Sequence, residues 1–306
     1  MSINVNVVVA GNFTIDDMVL PDGSTSMGVT GGDVLYGALG ARFWLDGIGM
    51  LSRAGEQFSQ HNLDKCVAAG LDISGVSIHA GDDVRNWIIY EDDGRRHFIY
   101  RTDPQRFNAL SPEGGDVPEF YLQASCLFLA AMPIQNQLEL AKAFKAAGVT
   151  VLFDPHEEDA SDNKARVYET LKYTDIFMPS EEEAYRLCHS RDYKAVARHF
   201  AQSGPDTVII KLGSEGCLIY QKSQDCFTHL PCFKTQVVDV TGAGDTFGGG
   251  FTAGYALTHD VVTAAMYGTV SASFAIEDFG SLQLFNKNKA DAAARLAEYQ
   301  KNNINV

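Results

Sequence analysis

Across 306 residues the chain has no Cys-x-x-Cys pair, no Gly-x-Gly-x-x-Gly run and no Gly-x-x-x-x-Gly-Lys-Ser/Thr. The first absence leaves six scattered cysteines, Cys66, Cys126, Cys188, Cys217, Cys226 and Cys232, which read as reduced structural thiols and not as a disulfide framework or a zinc site. The second argues against a dinucleotide-dependent oxidoreductase, and the third against a P-loop kinase. No window holds about 18 uninterrupted apolar residues, and the N-terminus lacks the basic segment and apolar core of a signal peptide, so the expected location is cytoplasmic. Positive charge is scarce too: 24 Lys and Arg against 39 Asp and Glu give a formal net charge of −15. Such a surface repels nucleic-acid backbones and anionic membranes. A local helix terminus with one or two bound cations still suffices to hold an anionic nucleotide.

What is present is an ordinary globular composition, 45% apolar and 21% charged, in a chain long enough for one large α/β domain. Residues 5–10 form a short β-branched apolar run, the pattern of a first strand buried on both faces of a parallel sheet. Past it come Asn12, Thr14, Asp16 and Asp17, at the strand end where open α/β sheets bind ligands, although an Asx turn explains them equally well locally. Gly31 and Gly32 open a helix over 34–43, followed by a strand at 48–51. Between 72 and 101 the pattern changes to alternating runs at 76–79, 86–90 and 97–101, with a hairpin turn at 91–94. These strands follow one another without helices, so they do not belong to a doubly wound sheet. From Cys126 the α/β alternation returns, with strands at 126–130, 150–153, 175–178 and 208–212 and a turn at 213–216 into 217–220. A helical segment at 261–275 and a terminal amphipathic helix at 291–301 complete the chain, without internal repeat or extended linker.

The chemistry concentrates at residues 239–251, where Asp239-Val240-Thr241-Gly242-Ala243-Gly244-Asp245 runs into further small residues and a long apolar-periodic segment. That order places glycines on a tight turn at a helix N-terminus. The backbone there approaches a ligand closely, and unpaired N–H groups of the first turn attract negative charge. A carboxylate beside such an anion hole is placed to take a proton from a hydroxyl while charge develops on a phosphoryl group, which makes Asp245 the candidate base. A glycine-rich loop whose aspartate merely caps a helix is the bland alternative.

Residues 239–251 match, position for position, the C-terminal signature of the ribokinase-like (PfkB-type) carbohydrate kinases, and the chain resembles that family in order over almost its whole length. The resemblance implies a three-layer α/β/α fold with a mostly parallel central sheet. It implies one domain over 1–306 with a small β-lid from about 12–30 and 72–105, a lid that often mediates homodimerisation. It also implies transfer of a phosphoryl group from ATP, with Mg²⁺, to a hydroxyl of a small sugar or polyol. Asp245 would be the general base and the N–H groups of Gly242, Ala243 and Gly244 the anion hole.

On the acceptor side the resemblance assigns Asp16, Gly31, Gly32 and the position of Tyr36, which is commonly asparagine; a phenol there implies an altered pocket, or plain core packing. Arg85 or Arg101 would reach a substrate hydroxyl or phosphate, while Arg95 and Arg96 read as solvated strand-edge charges. Nucleotide contacts fall on Gly213 and Gly216, on Lys211 where the family has a hydroxyl, and on Gly280 in a loop beside the adenine. Lys211 either binds phosphate or points to solvent. Glu183 would hold Mg²⁺ through water, although Ser180 and three following glutamates also make a capping box. Asp239 and Thr241 would belong to a monovalent-cation site of the K⁺ type. Asp154 and Pro155 match the edge of the family site, and His156 reads as a surface-loop histidine. The departures at Tyr36, Ser180 and Lys211 leave open a catalytically impaired sugar- or nucleoside-binding regulatory protein on the same fold.

Overall fold

Val7, Val8, Val9 and Ala10 are all fully buried, and in the computed structural model, which describes residues 4–92 and 96–302, they form β1 (Val7–Ala10) inside the central sheet. Side chains alternate across a strand, so Val7 and Val9 enter one core while Val8 and Ala10 enter another. The small sheet beside it uses β2 (Thr14–Val19) and β3 (Thr25–Gly31), and the central sheet continues with β4 (Ile48–Gly55) and β5 (Leu71–His79). Then come β6 (Arg85–Tyr90) and β7 (Arg96–Tyr100) of the small sheet. The remaining strands, β8 (Cys126–Leu129), β9 (Thr150–Phe153), β10 (Ile176–Phe177), β11 (Thr207–Lys211), β12 (Cys217–Gln221) and β13 (Cys226–Leu230), are all central. The nine-stranded order is β13-β12-β11-β10-β9-β8-β1-β4-β5, parallel except where β12 runs against both neighbours.

One face of that sheet is covered by α1 (Asp33–Arg42), α2 (Gln60–Ala68), α9 (Ala243–Thr258), α10 (Val261–Ala275) and α11 (Lys289–Asn302). The other carries α4 (Ile134–Ala146), α5 (Glu157–Asp162), α6 (Lys164–Leu171), α7 (Glu181–Cys188) and α8 (Tyr193–Gln202), while the short α3 (Pro104–Ala109) is a connector with no buried residue. This is the expected three-layer α/β/α arrangement. Within the first layer, α1 and α9 meet backbone to backbone. A Cβ on Gly249 would lie 1.8 Å from the Gly37 carbonyl oxygen, and one on Gly40 would lie 2.4 Å from that of Thr246. Glycines on both helices therefore set how closely their N-termini converge.

The small sheet has the order β3-β2-β6-β7. The strand expected there at 76–79 lies elsewhere. It is the end of β5, which pairs in parallel with β4 as far as Gly55 with His79. The reason is the length of β4: it runs four residues past the expected end at 51 and gives β5 a continuous partner. Of the expected turn at 91–94, Asp93 and Gly94 fall outside the described residues, as does Arg95. Register fixes the two faces of this sheet. Asp16 pairs with Asn86 and Asn86 with Tyr100, so these share the inner face; Trp87 and Ile99 pair on the outer one.

Candidate active site

The turn into α9 begins with Gly242 in the left-handed region (φ 72°). A Cβ there would lie 2.3 Å from the Tyr36 ring, so glycine is required on two counts. Tyr36 is buried and packs under this turn; burial, then the charges of Asp16 and Asp239, push its phenol pKa well up. The Gly242 and Gly244 N–H groups donate to no backbone acceptor among the described residues, whereas the Ala243 N–H spends itself weakly on the Val240 carbonyl at 3.3 Å. Of the three N–H groups expected to form an anion hole, those of Gly242 and Gly244 are the ones left without a backbone acceptor among the described residues. Asp245 sits in the first turn beside them.

Two residues meet Asp245 that the sequence did not single out together. Asp33, first residue of α1, lies close enough that burial and then the Asp245 charge raise its pKa well above the ordinary aspartate value. The second is Lys211, whose Nζ lies 3.4 Å from where a Cβ on Gly244 would be. Lys211 thus points into the site, not to solvent, and forms an ion pair with buried Asp154. Burial opposes the Lys211 charge, but Asp154 and then Glu183 outweigh it and hold its pKa above the usual lysine value. The other oxygen of Asp154, Oδ1, has no hydrogen-bond partner among the described residues. Glu183 completes this acidic corner, pushed up to about 7 by burial and by Asp154. It also forms the anticipated capping box, accepting from the Ser180 N–H at 2.6 Å while its own N–H donates to Ser180 Oγ at 3.2 Å. His156 caps α5 through Nδ1, in keeping with a loop role.

Beyond the turn, a cavity of about 580 Å³ is lined by Lys211, Gly213, Ser214, Gly216, Val240, Phe247 and Ile276 among others. Gly213 (φ 56°) and Gly216 (φ 87°) both need positive φ, and a Cβ on Gly216 would strike the Leu230 carbonyl at 2.0 Å. Gly280 is not on this cavity. A Cβ on Gly280 would lie 3.2 Å from Met18 and from Val29, so this glycine, expected beside the nucleotide, also meets β2 and β3 of the small sheet.

Near the start of α1, Asp16 accepts from Asn86 Nδ2 and from Thr14 Oγ1, each at 3.0 Å. Burial pushes its pKa up to about 6 despite those bonds. A Cβ on Gly31 would fall 2.3 Å from the Asp16 carboxylate, and one on Gly32 (φ 99°) 2.2 Å from the Asn12 carbonyl, which explains the glycine pair. Asn12 itself is tied to Ser111. Arg85 and Arg101 are both committed to Asp17 on the outer face, at 3.0 and 2.6 Å, and Arg101 also lies over the Trp87 ring. The expected reach of Arg85 to an acceptor is thus replaced by an ion pair within the sheet. Asn86 was legible only as an alternating strand position. Asp239 accepts from Thr241 N (2.9 Å), Thr241 Oγ1 (2.7 Å) and Tyr90 Oη (2.8 Å).

The turn thus brings Asp245, the N–H groups of Gly242 and Gly244 and the Lys211 ammonium together, with Lys211 and Gly244 on the cavity wall and Asp33 and buried Asp16 nearby. That geometry suits transfer of an anionic group to a hydroxyl. Comparison with known proteins points the same way. Residues 38–287 match the family described as pfkB family carbohydrate kinase. A cytidine kinase of Thermococcus kodakarensis is 32% identical over 253 residues, spanning 82% of this chain and 88% of that protein. In fold, a putative ribokinase II from E. coli superposes with a TM-score of 0.82 at 21% identity, covering 96% of this chain and 99% of that one. A nucleoside kinase of Burkholderia thailandensis in complex with inosine gives 0.79 at 18% identity, covering 96% and 98%. The match over residues 38–287, most of the chain, means that this protein belongs to the pfkB family of carbohydrate kinases.

Proposed function

We propose that the chain transfers the γ-phosphoryl group of ATP to a hydroxyl of a small acceptor, with nucleosides ahead of free sugars and polyols. The observation that carries this reading is the convergence of Asp245, the Gly242 and Gly244 N–H groups, which have no backbone acceptor among the described residues, and the Lys211 ammonium at one turn. Asp245 takes the proton of the attacking hydroxyl, and the glycine N–H groups meet the charge of the transferring group. Burial and then the Asp245 charge favour the protonated form of Asp33, which lessens like-charge repulsion beside Asp245. Asp16 accepts from acceptor hydroxyls, held for that task by Asn86 and Thr14.

ATP fits the cavity lined by the Gly213 and Gly216 turn, whose apolar wall of Val240, Phe247 and Ile276 suits a purine. A triphosphate entering beside Asp33, Asp154, Glu183 and Asp245 needs more positive charge than Lys211 supplies, and the unpartnered oxygen of buried Asp154 fits a hydrated cation nearby. Magnesium, when bound there, supplies charge neutralisation of the phosphates; Glu183 and Asp154 are the residues that would hold it through water. Two aromatic residues of β7, Phe98 and Tyr100, stand at register positions on the inner face with Ile88 and Asn86. They offer a base something to stack on, and with the cytidine kinase relative they support a nucleoside acceptor. The small sheet then serves as a lid, and its outer face, with Trp87 and Ile99, as the surface on which two copies pair.

The test is ADP formation across a panel of nucleosides, pentoses, hexoses and polyols. We expect turnover with at least one ribonucleoside, falling by about 10³-fold or more in Asp245→Asn with little change in acceptor KM. Full activity of that variant would remove Asp245 from the reaction. Binding of an acceptor without turnover by any member of the panel would favour the regulatory, ligand-holding reading.

A further inference from the structure

We infer that Tyr90 stands in for a monovalent cation at Asp239: a phenol from the small sheet, not a bound potassium ion, holds the loop that carries the anion hole. The resemblance assigned a cation to Asp239 and Thr241, and the geometry does not fit one. Asp239 Oδ1 already accepts from the Thr241 N–H (2.9 Å) and hydroxyl (2.7 Å), and Oδ2 accepts from Tyr90 Oη at 2.8 Å. Tyr90 Oη also lies 3.3 Å from Thr241 Oγ1. The carboxylate thus faces hydrogen-bond donors on both oxygens, and a donor hydrogen repels a cation where it would have to sit. Backbone also ties this loop to the end of α10, the Val238 N–H donating to the Ile276 carbonyl at 2.8 Å.

Tyr90 is built to stay in place. It is 7% exposed, clustered with Met18, Val29 and Ile88, and meets Phe279 edge to face at 4.9 Å. From its hydroxyl the chain of contacts is short. Tyr90 fixes Asp239, Asp239 fixes the Thr241 N–H, and the next residue is Gly242, where the backbone turns left-handed to present the anion hole. Tyr90 acts through Asp239; it is a positioning residue that couples the small sheet to the reacting loop. The residue type matters, since phenylalanine keeps the packing and loses only the donor.

This inference rests on the phosphotransfer reading for its turnover arm and is independent of it for its binding arm. Thermal unfolding of the wild type and of Tyr90→Phe is followed in KCl, NaCl and choline chloride at equal ionic strength, alongside turnover with the best acceptor. The wild type should show the same midpoint and turnover in all three salts. Tyr90→Phe should lose about tenfold in kcat in choline, with acceptor KM little changed, and regain most of it in KCl, with a midpoint raised by KCl alone. A wild type activated about tenfold or stabilised specifically by KCl would overturn the proposal, as would a Tyr90→Phe enzyme indistinguishable from wild type. The wild-type salt comparison decides the matter even if the variant does not fold. If no acceptor is phosphorylated, the phosphotransfer reading fails while the unfolding arm still reports whether Asp239 takes up a cation.

Discussion

Asp16 places a carboxylate where folding alone would not: it is 6% exposed, and burial raises its pKa from 3.8 to about 6. Because the folded value lies above the unfolded one, the native state binds this proton more tightly, and native stability contributed by the group falls as pH rises from 3.8 to about 6. Asp16→Asn does not titrate there. Its unfolding midpoint relative to wild type should climb across that window and level off above it, while acceptor KM rises by about 10–100-fold through loss of a charge-assisted contact. Parallel loss of stability and affinity at pH 8 would show Asp16 to be merely structural. At this scale the sequence was legible where a residue's setting follows from its immediate neighbours, as with Ser180 and Glu183, which form the expected capping box. It was not legible where a role depends on a partner far along the chain. Lys211 could be read as facing phosphate or solvent, and only its ion pair with Asp154, 57 positions away, turns it inward. Arg85 failed for the same reason in reverse, since its partner Asp17 is 68 positions away.

The same distinction holds for whole elements. The central strands and the helix after Gly31 were readable because burial on both faces, or on one stripe, leaves a local pattern. The assignment of β5 was not, because an alternating strand looks alike at the edge of either sheet and its partner, β4, sets where it goes. How α1 and α9 approach each other is written in glycines whose purpose appears only in pairs. Gly249 against Gly37, and Gly40 against Thr246, bring the N-terminus of α9 to that of α1 and so set Asp245 beside Asp33. Gly249→Ala puts a methyl 1.8 Å from a backbone oxygen that has no rotamer to yield with, so the helices must separate. We expect a loss of about 1–3 kcal/mol in stability by urea denaturation, accompanied by a several-fold fall in kcat because the anion hole moves with α9. Gly115→Ala is the control: a Cβ there meets nothing within 4 Å, and it should leave both measurements unchanged. A Gly249→Ala enzyme with native kcat would mean that the helix interface does not govern the site.

At the scale of the molecule, the outer face of the small sheet stands apart from an otherwise acidic surface. Trp87 (40% exposed) and Ile99 (46%) lie opposite each other on it, flanked by Arg85 and Arg101, whose charge Asp17 partly offsets. Whether two copies pair there is a question of area. Four strands about 4.8 Å apart and about 20 Å long present roughly 400 Å² in plan, about half of what one partner contributes to a stable interface. The pairing expected is therefore weak and concentration-dependent, with Kd in the micromolar range. Sedimentation velocity across that range should show the wild type shifting from monomer towards dimer, and Ile99→Glu should remain monomeric with its turnover intact. Phe98, by contrast, shares its face with buried Ile88, so charging it would disturb the cleft and tests nothing about pairing. A wild type that stays monomeric throughout would leave the small sheet with a single task, that of carrying Asn86 and Tyr90 to the reacting residues.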